Sequence, residues 1–362
     1  MPIDNTRWLK PIRLRPYQAR PQRFRVANAG VAFALPSFAS LLFKNVFLCF
    51  CRFRLTLLCS LKPPHNPSSM RTTAADVSIV LPRDIWVHRA WLHERRVQSW
   101  IEPYLDQKSR QAKHPVYDFL FQYYSFRPAQ LARWSPGPNV PIEAERIEDL
   151  PGPPKLWERA DGGWRLAAFP IARREYLDWA VRFLERTALR EPNFCCFGLH
   201  EWAMVYRQDS IRHSEVPLRL EGPEIASFVD SQALVCTHFD AFRFFTEPAR
   251  KRNQTALRRE TTIEMDQSGC IHVNMDLYRF CYKIAPWIES ELLADAFELA
   301  RFAREIDMRA SPYKLEEIGF DPIRVETADG RAEYVRWQRK IAERARPIRQ
   351  RVLMAYWRLT DA

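Results

Sequence analysis

From residue 84 onward, apolar positions recur at helical spacing. The run DIWVHRAWLHERRVQSWIEPYL sets Trp86, Trp91 and Val97 among charges, which predicts a helix from Asp84 to about Lys108 with Asp84 as its N-cap. A second helix, kinked at Pro128, is expected over Val116–Trp134. SPGPNVP and LPGPPK then mark residues 135–155 as a connection. ADGGWRLAAF is the best strand or hairpin signal in the chain. Helices follow near Ala172–Thr187, Phe197–Tyr206, Pro223–Ser231 and His238–Thr246. The last third is the most strongly patterned, with a helix over His272–Ile284 ended by Pro286 and another over Trp287–Arg309. IRVETADGRAEY reads as a short strand and turn before a basic helix, Tyr334–Leu359. The expected class is mainly α, a single helical domain with a few short strands and no repeat at a solenoid period.

Charge changes the picture of the first part of the chain. The 362 residues carry a net +12, but residues 1–69 hold 11 Lys/Arg against one acid, Asp4, leaving 44 basic and 42 acidic residues in 70–362. The body is therefore close to neutral, and bulk charge lends no support to DNA binding. Within 1–69, the apolar run VAFALPSFASLLF is interrupted by Lys44 and falls short of the roughly 20 apolar residues of a spanning helix, so no stable membrane insertion is expected. The segment reads as a basic and apolar extension, either a mis-called start upstream of Met70 or a leader, with 70–362 as a helical catalytic domain. None of the eight cysteines forms a CxxC pair, which points to a reducing, cytoplasmic setting. Cys236 and Cys270 stand two residues before His238 and His272, either lining the same site or packing as small core residues.

Candidate chemistry lies in four histidines that each sit beside a carboxylate within an apolar, aromatic run: His114 with Asp118, His200 with Glu201, His238 with Asp240, and His272 with Asp276. An ionisable pair is costly to bury unless its partners are fixed, so three of the pairs, 114/118, 238/240 and 272/276, are expected to converge in one pocket. His200/Glu201 is the weakest pair, because adjacent helical residues point about 100° apart. His88, His93 and His213 lie among charges and are expected in solvent; Arg243 and Arg279 are expected as ion-pair partners of Asp240 and Asp276. Two chemistries are open. Imidazole and carboxylate ligands suit iron, manganese or zinc, with His114, Asp118, His238, Asp240, His272 and Asp276 as possible ligands. Alternatively, Asp240 and Asp276 act as carboxylates with raised basicity in a metal-free pocket, and His238 and His272 move protons or stabilise charge.

The runs HPVYDFLFQYYSFRPAQLARWSPG, CFGLHEWAMVYR, CTHFDAFRFFT, GCIHVNMDLYRFCYK and DMRASPY resemble a bacterial family that carries the name 3-methyladenine DNA glycosylase. The likeness covers about residues 70–362. It implies a DNA partner and excision of alkylated purine bases: the base is flipped out, stacked between aromatics and cleaved from its sugar with the help of an Asp and without a cofactor. The alternative is a non-haem, metal-dependent oxygenase or hydrolase acting on a small aromatic or heterocyclic molecule.

Overall fold

The helices nearest the chain's end build the frame on which everything else sits. The computed structural model describes residues 79–208 and 216–361, which fall within one compact unit, Ala74–Ala362. The expectations for residues 1–69 and for His213 lie outside the described residues. In chain order the helices are α1 (Arg83–Ser109), α2 (Pro128–Leu131), α3 (Arg174–Leu189), α4 (Leu199–Val205), α5 (Gly222–Asp230), α6 (Phe239–Phe242), α7 (Glu247–Arg252), α8 (Thr262–Met265), α9 (Ile271–Ile284), α10 (Ser290–Arg309) and α11 (Ala328–Thr360). The fold is mainly α, and its strands are β1 (Trp157–Ala160) and β2 (Gly163–Leu166). These pair antiparallel across an Asp161-Gly162 turn, with Gly162 at φ 75°. That is the Asp-Gly hairpin the sequence proposes.

α9 is the central helix. It packs against α10 and α11, and α11 packs in turn on α3. Val273, Leu277, Tyr278, Phe280 and Ile284 of α9 are buried against a core that includes Leu293, Phe297 and Ala300 of α10. Each such side chain contributes about 1.5–3 kcal/mol on full burial. That sum holds α9 in place although it also buries Asn274 and Asp276, whose polar groups would each cost about 1–3 kcal/mol if left unpaired.

Several boundaries differ from expectation for identifiable reasons. The continuous helix Val116–Trp134 does not form: Phe119–Tyr123 is a π-helical turn, Ser125 takes a left-handed φ of 55°, and only α2 follows. Asp84 lies in the first turn of α1 rather than at its cap, which is Pro82. The His238–Thr246 helix splits into α6 and α7, with His238 at the N-cap of the first and Thr246 at that of the second. α11 begins six residues earlier than predicted, because the Thr327 hydroxyl accepts from the Gly330 amide at 3.0 Å and converts the expected turn into a capped first turn. His93 is buried, not solvated, its Nε2 bonded to the Leu131 carbonyl at 2.8 Å. Among the described residues no helix is long and apolar enough to cross a membrane.

Candidate functional site

α9 presents His272, Asp276 and Arg279 on one face at i, i+4 and i+7. α10 brings Arg304 and Asp307, α4 brings His200 and Glu201, and the short α6 brings His238 and Asp240. Asp266, at the end of α8, closes the group. Glu201, His238, Asp240, His272, Asp276 and Arg304 line a cavity of about 50 Å³ beneath an aromatic rim of Phe119, Tyr123, Tyr124 and Phe244, while His200, Asp266, Arg279 and Asp307 stand in contact with these side chains from outside it.

The first half of the centre is His200, His272 and Asp307. Asp307 is fully buried, with one carboxylate oxygen 2.8 Å from His200 Nε2 and the other 3.9 Å from His272 Nε2. The His200–Asp307 contact is short, and neither His200 Nε2 nor Asp307 Oδ1 has a partner beyond it. The two rings stand edge to face, with centroids 4.2 Å apart. Arg304 Nη1 donates to Asp307 Oδ2 at 2.5 Å and to Glu201 Oε1 at 2.8 Å, and its guanidinium lies over the Phe119 ring. Burial alone would raise the Asp307 carboxyl, but His200, His272 and Arg304 outweigh it and hold Asp307 far below the usual carboxylate range. Burial, reinforced by His200, holds His272 neutral by pushing its pKa well down.

The second half is His238, Asp240 and Asp276. His238 Nδ1 lies 3.2 Å from both oxygens of Asp266, which fixes the ring and aims Nε2 toward Asp276, 3.9 Å away. A carboxylate behind a histidine in this way orients ligating imidazoles in metal sites. Arg279 Nη1 reaches Asp240 at 2.8 Å and Asp276 at 3.2 Å, while Nη2 donates to the Tyr123 hydroxyl at 2.8 Å. The Tyr124 hydroxyl donates to Asp276 Oδ1 at 3.1 Å. Burial raises the Asp276 carboxyl even though Arg279 opposes it. His238 is also raised: burial pulls it down, but Asp266, Asp276 and Asp240 prevail. Asp240 is lowered, because hydrogen bonding and charge from Arg279 overcome the effect of burial. The His238 and His272 rings stack at 5.5 Å and 8°, so the two halves adjoin.

Within each triad one ligand-type atom per residue lies within 4.8 Å of the others. Ligands bound at about 2.0–2.2 Å to one ion stand about 3–3.5 Å apart. The ligand atoms of either triad therefore stand at most about 1–2 Å farther apart than those of a bound ion. Counted together, Glu201, Asp240, Asp266, Asp276 and Asp307 face Arg279 and Arg304, with Arg243 reaching Asp240 at 3.3 Å from the exposed side. Even with Arg243 included, the carboxylates exceed the guanidiniums by two.

The expected pairs come together only in part. His238, Asp240, His272 and Asp276 share the centre, but in exchanged partnerships: Asp276 faces His238, and His272 faces Asp307. Arg243 and Arg279 are ion-pair partners, as their spacing suggests. His114 and Asp118 do not join. His114 Nδ1 accepts from the Val116 and Tyr117 amides at 3.2 and 3.3 Å, and Asp118 accepts from the His114 amide at 3.0 Å, so the pair closes a local turn. His200/Glu201, the weakest pair by adjacency, belongs to the centre because His200 reaches Asp307 and Glu201 reaches Arg304, each at 2.8 Å. Asp266, Arg304 and Asp307 were missed. A signal existed for two of them, since Leu293, Phe297, Ala300, Arg304 and Asp307 form a single i, i+4, i+7 stripe on α10. Cys236 and Cys270, with Cys196, line a smaller cavity of about 20 Å³ on the far side of His200 and His272. The chain's comparison with family models, with curated proteins and with solved structures gives no match to any of them.

Proposed function

We propose that the two triads hold one or two divalent ions, iron, manganese or zinc, in a metal-dependent hydrolase or oxygenase acting on a small aromatic or heterocyclic molecule. The main support is the grouping itself: in each triad one ligand-type atom per residue lies within 4.8 Å of the others, and the buried His200 Nε2 and Asp307 Oδ1 stand 2.8 Å apart. Imidazole nitrogens and carboxylate oxygens gathered at this spacing are the donor set of iron, manganese and zinc. The surplus of carboxylates over guanidiniums points the same way, because a divalent ion would replace the protons toward which His238 and Asp276 are otherwise shifted.

When bound, the ion would supply a Lewis acid and a water of lowered pKa. The chain's own residues do the rest. Asp266 sets the orientation of His238. Arg279 and Arg304 hold the carboxylates at fixed angles and prevent their mutual repulsion. Phe119, Tyr123 and Phe244 form the rim against which a planar substrate packs. Metal analysis of purified protein is the direct test: near-stoichiometric iron, manganese or zinc, lost on His272→Ala, supports the reading, and metal-free protein that refuses all three ions overturns it.

The likeness to the 3-methyladenine DNA glycosylase family supports a second reading, favoured by the ionised Asp240 beside the aromatic rim. There Asp240 or Asp276 would stabilise the sugar cation as the base leaves. The cavity of about 50 Å³ is small for a flipped purine, as it is for the planar substrate of the metal enzyme, so the rim would have to open in either case. Release of free 3-methyladenine from methylated DNA without added metal, abolished by Asp240→Asn or Asp276→Asn, would establish it over the metal enzyme.

A further inference from the structure

On the opposite side of α9 the basic face of α11 borders a second, larger groove. Arg339, Arg346 and Arg349 occupy positions i, i+7 and i+10 of α11, and the wall across from them is formed by Arg190, Phe194 and Ser268. Its volume is about 440 Å³. That lies within the roughly 300–1,000 Å³ range of small-molecule sites.

Arg349 is the telling residue. It is 4% exposed, yet among the described residues no carboxylate lies within ion-pair distance of it. One of its terminal nitrogens donates to Asn274 Oδ1 at 2.5 Å, and its Nε has no partner. A buried guanidinium without a counter-charge is costly, and proteins normally pair it. Burial, with Arg346 as a like-charged neighbour, pushes its pKa down to about 10, which still leaves it cationic at neutral pH. Arg190 spends its two terminal nitrogens on the Asp266 and Ile263 carbonyls, so its charge too is uncompensated by a carboxylate. Arg339 lies 4.4 Å over the Phe194 ring. The exposed Glu191 and Glu343 also line the groove, leaving four arginines against two acids.

We propose that this groove binds a phosphate-bearing small molecule of mononucleotide size, with its phosphate on Arg349 and Arg346 and its ring against Phe194. Guanidinium groups match phosphate oxygens in charge and in fork geometry. The site is separate from the His/Asp centre but touches it twice. Asn274, which receives Arg349, lies on α9 between His272 and Asp276, and Arg190 grips the backbone carbonyl of Asp266, the residue that orients His238. Occupancy of the groove would thus stiffen the scaffold of the centre.

Calorimetric titration of the full chain tests this with adenosine monophosphate, inorganic phosphate, adenosine and a 16-nucleotide single strand. Adenosine monophosphate is expected to bind, adenosine not, and Arg346→Glu and Arg349→Gln to weaken binding by at least about tenfold, the size of one lost charge-assisted contact. Arg346 is exposed, so its variant remains informative should Arg349→Gln fail to fold. No heat with either adenosine monophosphate or phosphate at millimolar concentration overturns the proposal, as does unchanged affinity in Arg346→Glu. Phosphate binding with no gain from the nucleoside overturns the mononucleotide size. An oligonucleotide that binds more tightly than the mononucleotide, with steep salt dependence lost in Arg346→Glu, assigns the groove to a nucleic-acid backbone instead.

Discussion

At the scale of single residues, the same side-chain types do different work according to what their second atom touches. His272 and His114 both stand four residues before an aspartate, yet one is held neutral in the centre and the other accepts two backbone amides. His114→Ala should leave bound metal unchanged and cost about 1–3 kcal/mol of stability, the price of orphaning buried donors; a chemical-denaturation curve beside a metal assay checks both halves. His272→Ala should remove most of the metal. The folded pKa of His272 lies below its ordinary value of 6.5, so the unfolded chain takes up the proton first as pH falls. Stability contributed by neutral His272 is therefore present above about pH 6.5 and is lost progressively below it. In metal-free protein, His272→Gln should flatten the fall in melting temperature between pH 6.5 and 5, and an unchanged slope would mean that another group drives it.

Elements carry the next level of information, and here legibility depended on whether packing or caps decide. α9 was readable to within one residue, and α10 to its C-terminal end with a start at Ser290 in place of the expected Trp287, because their apolar stripes are continuous and Pro286 separates them. Residues 116–134 were not, because Ser125 in a left-handed conformation cannot be seen in a hydrophobic pattern that runs through it. The start of α11 turned on one hydroxyl, that of Thr327, and on Gly330, where a Cβ would stand 1.9 Å from the Arg324 carbonyl oxygen. Gly330→Ala should therefore unravel the first turn of α11 at a greater cost than Thr327→Ala, for which about 0.5–2 kcal/mol is expected. Thermal melts of the two variants order them. In the centre, the four residues found from sequence share aromatic surroundings, which a local window can see. Arg304 and Asp307 come from a helix distant in sequence, where their stripe shows a buried face but not what it meets, and Asp266, six residues before His272, is turned toward His238 by the fold.

For the whole molecule, the buried charge of the centre ties stability to whatever fills it. Five carboxylates outnumber their guanidinium partners by two, and in the metal-free protein the deficit falls on His238 and Asp276, both of which are shifted toward their protonated forms. A divalent ion competing for the same lone pairs must displace those protons. Binding of zinc at pH 7 should consequently release protons, visible as a calorimetric enthalpy that changes with the ionisation enthalpy of the buffer. It should also raise the unfolding free energy by about 2.7 kcal/mol at a hundredfold excess over Kd, provided the unfolded chain binds little metal. Arg304→Met sharpens the test, because removing the guanidinium leaves Asp307 and Glu201 facing each other without their shared cation contact. That variant should lose about 3–5 kcal/mol when metal-free, as for a broken buried ion pair, and should regain more from zinc than the wild type does. Equal zinc stabilisation of both proteins would show that the ion does not sit against Asp307, and would move it to the His238, Asp240 and Asp276 side of the centre.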